Sequence, residues 1–292
     1  MYFLRLIRPI NLLIIVLTMY GAILYLFNGS SVKLIPYSEL DFGLLVFSTV
    51  LIAAAGNIIN DYFDVKADKV NKPDRLIITK HIKRRWAIFW HWTFNCIGFF
   101  IGIYLSIKYQ SLSFVFVQLM SINLLWFYSM YFKRKMLIGN VIISFLSAMI
   151  PILVVIFYHF SMTKSTDRLE DYTFIFIMAG FAFVLNFARE IIKDIQDIEG
   201  DKLIQVRSLP MIVGINTSLV IAGVLLCVLP ALMIIIWFFG AREITMVHAA
   251  ALVDVLAILV LIFASQRLKI IDQLIKLTML IGLLMFYQLA FL

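Results

Sequence analysis

The chain has 292 residues, of which 63% are hydrophobic and 14% charged, with a mean hydropathy of +1.00 and a net charge of +8. Soluble domains carry about 25% charged and 45–50% apolar residues, so the composition excludes an ordinary soluble enzyme, a disordered chain, a collagen-like repeat and a disulfide scaffold. Cys96 and Cys227 lie in apolar runs with no partner pattern; they read as buried small hydrophobes, and no disulfide is expected.

A bilayer core about 30 Å thick takes about 20 apolar helical residues per crossing, and a backbone in lipid has to satisfy its own polar groups, which helices do. Nine spans are predicted, at 10–27, 43–60, 86–107, 112–132, 138–159, 172–189, 216–238, 247–263 and 274–292. The first follows Arg5 and Arg8 but is too long for a signal peptide and lacks a small-residue cleavage site, so it stays as a helix. The fold class read from the sequence is therefore an all-α integral membrane bundle of about nine helices, forming a single domain over 1–292.

Lysine and arginine set the orientation. The N-terminus and the segments 61–85, 133–137, 189–209 and 264–276 hold 20 of the 25 basic residues; the alternate loops hold Lys33, Lys108, Lys164, Arg168 and Arg242. That alternation is a positive-inside pattern and places the N-terminus in the cytoplasm. It also assigns the excess charge to cytoplasmic loops, which removes the case for nucleic acid.

The same side carries acids in two short stretches, 57–75 and 189–207. Offset by 133 positions, their polar residues coincide: Asn57 with Glu190, Asp61 with Asp194, Asp64 with Asp197, Asp68 with Asp201, and Lys69 with Lys202. An arginine follows each, Arg75 and Arg207. Positions i, i+4, i+7 and i+11 of a helix share one face, so each stretch presents three carboxylates where a span leaves the membrane. If the second and sixth spans stand side by side, six carboxylates converge.

Like charges so placed repel unless cations neutralise them. Oxygen ligands without His or Cys select hard ions, and Mg²⁺ binds through a few carboxylates plus substrate phosphates. The pattern points to Mg²⁺ bridging the protein to a phosphorylated substrate, with Lys72, Arg75, Lys133 and Arg134 available to clamp phosphate oxygens. His81, His91, His159 and His248 are scattered, so a histidine metal site is not expected. Asp254 is an intramembrane carboxylate, either hydrogen-bonding between helices or lining an ion pathway. Tyr128 either orients a diphosphate or belongs to the interfacial aromatic belt. Gly21, Gly98 and Gly102 read as helix-packing positions, the last two as one G-x-x-x-G.

These residues resemble the UbiA superfamily of intramembrane prenyltransferases. Its N-D-x-x-D-x-x-x-D motif reads Asn60 to Asp68, its N-[KR]-P-x-R element Asn71 to Arg75, and its second D-x-x-D-x-x-x-D motif Asp194 to Asp201. Tyr128-Ser129 with Lys133-Arg134 matches the Y-S-x-x-x-K-R stretch, and Arg8-Pro9-Ile10-Asn11 matches the R-P-x-N that opens the first span. Leu76 departs from the proline that many members carry after the arginine. The resemblance implies a central cavity under a cytoplasmic cap. It also implies Mg²⁺ held by Asn57, Asn60, Asp61, Asp64, Asp68, Asp194, Asp197 and Asp201, with Asp61, Asp64, Asp194 and Asp197 central to catalysis. Lys72, Arg75, Tyr128, Lys133, Arg134 and Asn11 would then bind the diphosphate of a polyprenyl donor.

Within the superfamily, the run from Arg189 to Asp201 looks most like the ether-lipid branch, which transfers a geranylgeranyl group to geranylgeranylglyceryl phosphate in the cell membrane. Prenylation of an aromatic acceptor such as 4-hydroxybenzoate or dihydroxynaphthoate, or of haem, is the alternative within the superfamily. A secondary transporter is the alternative of another class, suggested by the 133-residue offset and Asp254, although transporter sites lie near the bilayer midplane rather than at its edge.

Overall fold

A computed structural model describes residues 2–28, 38–71, 73–161, 169–203, 206–238 and 268–291. Among them are eleven α-helices in chain order: α1 (Tyr2–Ile7), α2 (Pro9–Asn28), α3 (Glu39–Asn71), α4 (Arg84–Lys108), α5 (Ser113–Met130), α6 (Ile138–Ser161), α7 (Leu169–Gln196), α8 (Ile198–Leu203), α9 (Leu209–Val213), α10 (Ile215–Phe238) and α11 (Leu268–Phe291). Helices α2 to α7 are each long and apolar enough to cross a membrane. They match the first six predicted spans, and α10 and α11 occupy the positions of the seventh and ninth. The predicted eighth span, with Asp254 and His248, lies outside the described residues.

The helices are long because lipid demands it, and α3 is the longest at 33 residues. It runs past the predicted span end at position 60 and carries Asp61, Asp64 and Asp68 on unbroken helix. The second stretch differs. Helix α7 ends at Gln196 and α8 begins at Ile198, yet the Asp197 N–H still donates to the Lys193 carbonyl and the Asp201 N–H to the Asp197 carbonyl (2.9 and 3.0 Å). The helix is interrupted there, and the Gly200 N–H turns instead to a side chain, Asn71 Oδ1 (2.7 Å).

Helix α3 packs against α4, α5, α2, α1 and α8, whereas α7 packs against α6, α10, α11, α9 and α2. The two motif-bearing spans therefore do not stand side by side along their lengths, which corrects the arrangement considered from the sequence. Helices α2, α5 and α6 come between them, and contact is made at the ends, where α8 folds back onto α3.

The end of the bundle remote from the Asp stretches is closed by rings. Phe42 lies 5.2 Å from Tyr20 and 5.3 Å from Phe157, Tyr109 lies 5.5 Å from Phe157, and Phe27 meets Tyr158 edge-on at 5.7 Å. Asp41, fully buried there at the start of α3, is satisfied by Lys108 (2.6 Å) and the Tyr109 hydroxyl (2.8 Å). The glycines of the G-x-x-x-G pack as expected: a Cβ on Gly98 would stand 2.8 Å from Ile52, and one on Gly102 3.3 Å from Gln118. Cys96 and Cys227 are both exposed on outward helix faces. That corrects the burial expected of them: in lipid, a small apolar side chain gains nothing from facing inward.

Gly200 is where α8 meets α3. A Cβ there would stand 2.7 Å from the Ala67 carbonyl oxygen and collide with Asn71. Gly200→Ala is expected to cost about 1–3 kcal/mol, read as a lower Tm in detergent. Gly223→Ala, with nothing within 4 Å of the added carbon, should leave Tm unchanged or slightly raised.

Candidate active site

Both Asp stretches emerge at one end of the bundle, and Asn71 holds them together. Its amide Nδ2 donates to the Asp197 carbonyl (3.0 Å), and its Oδ1 accepts from the Gly200 N–H (2.7 Å). One asparagine thus reads two backbone groups of the second stretch from the last residue of the helix that carries the first.

Two carboxylates of the first stretch, those of Asp61 and Asp64, each have a cation. The Arg8 guanidinium, between α1 and α2, donates from Nη2 to Asp61 Oδ1 at 2.6 Å. Arg8 is placed by a left-handed backbone turn (φ 55°), and Asn57 supports the same corner by donating from Nδ2 to the Ile7 carbonyl (3.0 Å). Asp64, buried, accepts from the Lys133 ammonium and from Asn60 Nδ2 (2.9 Å). Burial alone would lower the Lys133 pKa, but the Asp64 charge outweighs it, helped by Tyr128, by the hydrogen bond to Asp64 and by Asp201. The ammonium is held well above the ordinary lysine value. Arg8 is likewise raised, Asp61 overcoming its desolvation.

The second stretch is paired differently. Asp194 accepts from Asn140 Nδ2 of α6 (2.9 Å) and makes no ion pair among the described residues. Glu190, buried where the first stretch has Asn57, takes the Lys193 ammonium at 2.6 Å. Arg189 reaches Asp272 of α11 at 2.8 Å. The buried Tyr128 hydroxyl lies within electrostatic reach of Asp64 from the first stretch and of Glu190 and Asp194 from the second. Tyr128 is buried within charge range of both motifs rather than exposed in an outer belt.

Of the other predicted residues, Asn11 is exposed on α2, and Arg134 is exposed in the 3-10 turn Phe132–Arg134. Asp68, Asp197 and Asp201 lie on the converging ends of α3, α7 and α8. Lys72 and the side chain of Arg75 lie outside the described residues, Arg75 closing the turn Pro73–Arg75. Sequence reasoning gave no site role to Arg8, Asn140 or Glu190. Arg8 stood inside a quoted motif; a lone Asn140 in an apolar span carries no signal of its own.

Among the described residues no three His, Cys, Asp or Glu side chains form a ready-made metal cage. Cations and amides separate the carboxylates, as electrostatics requires of like charges. The donors present nonetheless fit a hard divalent ion: all are oxygens, and the buried Asn60 Oδ1 beside Asp64 has no hydrogen-bond partner.

A sequence profile of the UbiA prenyltransferase family matches residues 10–286. The digeranylgeranylglyceryl phosphate synthase of Methanococcus aeolicus is 31% identical over 265 residues, covering 85% of this chain and 89% of that protein. The synthase of the same name from Methanopyrus kandleri is 31% identical over 259 residues, covering 87% and 90%. A solved structure from work on digeranylgeranylglyceryl phosphate synthase in membranes superposes with a TM-score of 0.67 at 24% identity, covering 99% and 97%. A UbiA homolog from Archaeoglobus fulgidus bound to GPP and Mg²⁺ superposes with a TM-score of 0.64 at 16% identity over the full length of both chains. These two likenesses establish the fold.

Removing Lys133 leaves Asp64 buried and unpaired, which costs on the order of 3–5 kcal/mol. Lys133→Met is therefore expected to lower stability steeply. Adding Asp64→Asn should recover most of that loss without recovering turnover, as checked by Tm and by pyrophosphate release.

Proposed function

The chain belongs to the UbiA prenyltransferase family, and from that premise we propose that it transfers a geranylgeranyl group from its diphosphate to geranylgeranylglyceryl phosphate in a Mg²⁺-dependent reaction. The enzyme class is established by the family, which sets aside the transporter reading, and the protein is a multi-pass membrane protein. The observation that carries the finer reading is the meeting of both Asp stretches around Tyr128 and Asn71, in a chain whose relatives at 31% identity are digeranylgeranylglyceryl phosphate synthases.

The first stretch would hold Mg²⁺ through Asn57, Asn60, Asp61, Asp64 and Asp68, and the second through Asp194, Asp197 and Asp201. Bound there, the ion neutralises charge that accumulates on a departing diphosphate. Asp61 and Asp64 are already held in place by Arg8 and Lys133. Both cations, with Lys72, Arg75 and Asn11, are suited to take diphosphate oxygens as the allylic C–O bond breaks and the electron pair leaves with pyrophosphate. The acceptor hydroxyl oxygen then forms the new ether bond to the allylic carbon and loses its proton. The Tyr128 hydroxyl, within charge range of both stretches, orients the leaving group. Positive-inside charge puts this end of the bundle in the cytoplasm, with the protein in the cell membrane.

The purified protein with Mg²⁺ is expected to release pyrophosphate from geranylgeranyl diphosphate when given geranylgeranylglyceryl phosphate, and to stop in EDTA. Asp61→Asn and Asp194→Asn should each remove nearly all turnover with folding intact by circular dichroism. Presenting 4-hydroxybenzoate, dihydroxynaphthoate and haem in parallel decides the acceptor; product from an aromatic acceptor alone would overturn the ether-lipid assignment.

A further inference from the structure

Two neighbouring arginines at the motif end of the bundle have no side-chain partner among the described residues. Lys133, Arg134 and Lys135 are consecutive, and the first and third are occupied: Lys133 by Asp64, and Lys135 by the ring of Tyr131, 4.2 Å from its centroid. The exposed Arg134 between them has neither an ion pair nor a side-chain hydrogen bond among the described residues. Arg207, also exposed, is in the same condition.

The two are neighbours, because the Arg207 N–H donates to the Arg134 carbonyl at 3.0 Å. The contact is anchored on both sides. The Val206 N–H donates to the carbonyl of Asp201, the last acid of the second stretch (3.1 Å), and a Cβ on Gly139 would stand 3.0 Å from Lys133 Cα, so the 133–139 turn is closely packed. Beside Arg207, Ser208 is 4% exposed and its Oγ has no hydrogen-bond partner. Two exposed arginines therefore sit at this end, one residue from the lysine on Asp64 and six past Asp201, with a buried unpaired hydroxyl directly beneath the second.

We propose that Arg134 and Arg207 form a second anion subsite, which takes the phosphate monoester of the acceptor lipid. The inference rests on the reading of the acceptor as a phosphorylated glycerol ether. That reaction brings two anionic groups to one site, a diphosphate that departs and a phosphate that stays. The diphosphate belongs with the ion, with Arg8 and with Lys133, next to the carboxylates. The retained phosphate lies only a few bonds from the reacting hydroxyl, and as a doubly charged head group it belongs at the water-facing rim, where unpaired guanidinium forks suit it. This moves Arg134 from the donor to the acceptor. It gives Arg207, which comes after the second stretch as Arg75 comes after the first, a substrate of its own. The subsite is specificity-determining: an acceptor without a phosphate monoester has no doubly charged tetrahedral group to place there.

The test compares two acceptors, geranylgeranylglyceryl phosphate and the same ether lacking phosphate, in wild-type protein and in the Arg134→Gln, Arg207→Gln and Arg207→Lys variants in nanodiscs. In Arg207→Gln the KM for the phosphorylated acceptor should rise about 10- to 100-fold, the range for losing a hydrogen bond to a charged group. The KM for geranylgeranyl diphosphate should stay as in wild type. The kcat/KM preference for the phosphorylated acceptor should fall by the same factor, Arg207→Lys should keep part of it, and Arg134→Gln should behave like Arg207→Gln. Preference is a ratio within one variant, so partial unfolding does not alter it. A rise in the diphosphate KM, or an equal loss with both acceptors in all three variants, overturns the subsite while leaving the proposed function standing. Wild-type protein that uses only an aromatic acceptor overturns both.

Discussion

A carboxylate at the edge of lipid has to be matched by a cation, a hydrogen-bond donor or a bound ion, and the motif end of this protein is organised around that requirement. Asp61 has Arg8, Asp64 has Lys133 and Asn60, Glu190 has Lys193, and Asp194 has Asn140. The partners come from four places: the α1–α2 corner, the turn after α5, α6 and the motif helices themselves. Satisfying the acids therefore also fixes how the helices meet. Asp194 has an amide where Asp61 and Asp64 have full charges. Bringing in positive charge there is electrostatically favoured.

The sequence offset of 133 residues suggested two equivalent halves facing each other. The structure keeps the equivalence of residue types but builds the halves differently. The first stretch is straight helix to Asn71; the second bends at Asp197 so that α8 can turn back under α3. Asn71 uses both ends of its amide on that bend, and Gly200 is small because the chains touch there. The clamp lets two spans that are not packed along their lengths present acids to one place. The space between them is bordered by α2, α5 and α6, and the aromatic cluster around Phe42 and Phe157 closes the far end.

Span positions were legible because a bilayer imposes a length and a polarity that few other solutions meet. The expected spans 86–107 and 216–238 differ from α4 and α10 by two residues or fewer at each end. The Asp stretches were legible because spacing on a helix is local information. What escaped was everything set by long-range packing. No local pattern says that Asn140 will reach Asp194, that α3 will continue 11 residues beyond a predicted span end, or that Arg134 and Arg207, 73 positions apart, will share a backbone hydrogen bond. Cys96 and Cys227 were misplaced because apolar surroundings in sequence do not distinguish a core from a lipid-facing surface.

The central claim is that one ion-binding site is built from both stretches. The direct measurement is a structure of the protein with Mn²⁺ in place of Mg²⁺ and an unreactive thio analogue of geranylgeranyl diphosphate, with the metal located by anomalous scattering. The account expects manganese in contact with carboxylates of both the 61–68 and the 194–201 segments, with the analogue's diphosphate bridging them. Manganese held by one segment alone, with the other turned to bulk water, would contradict it.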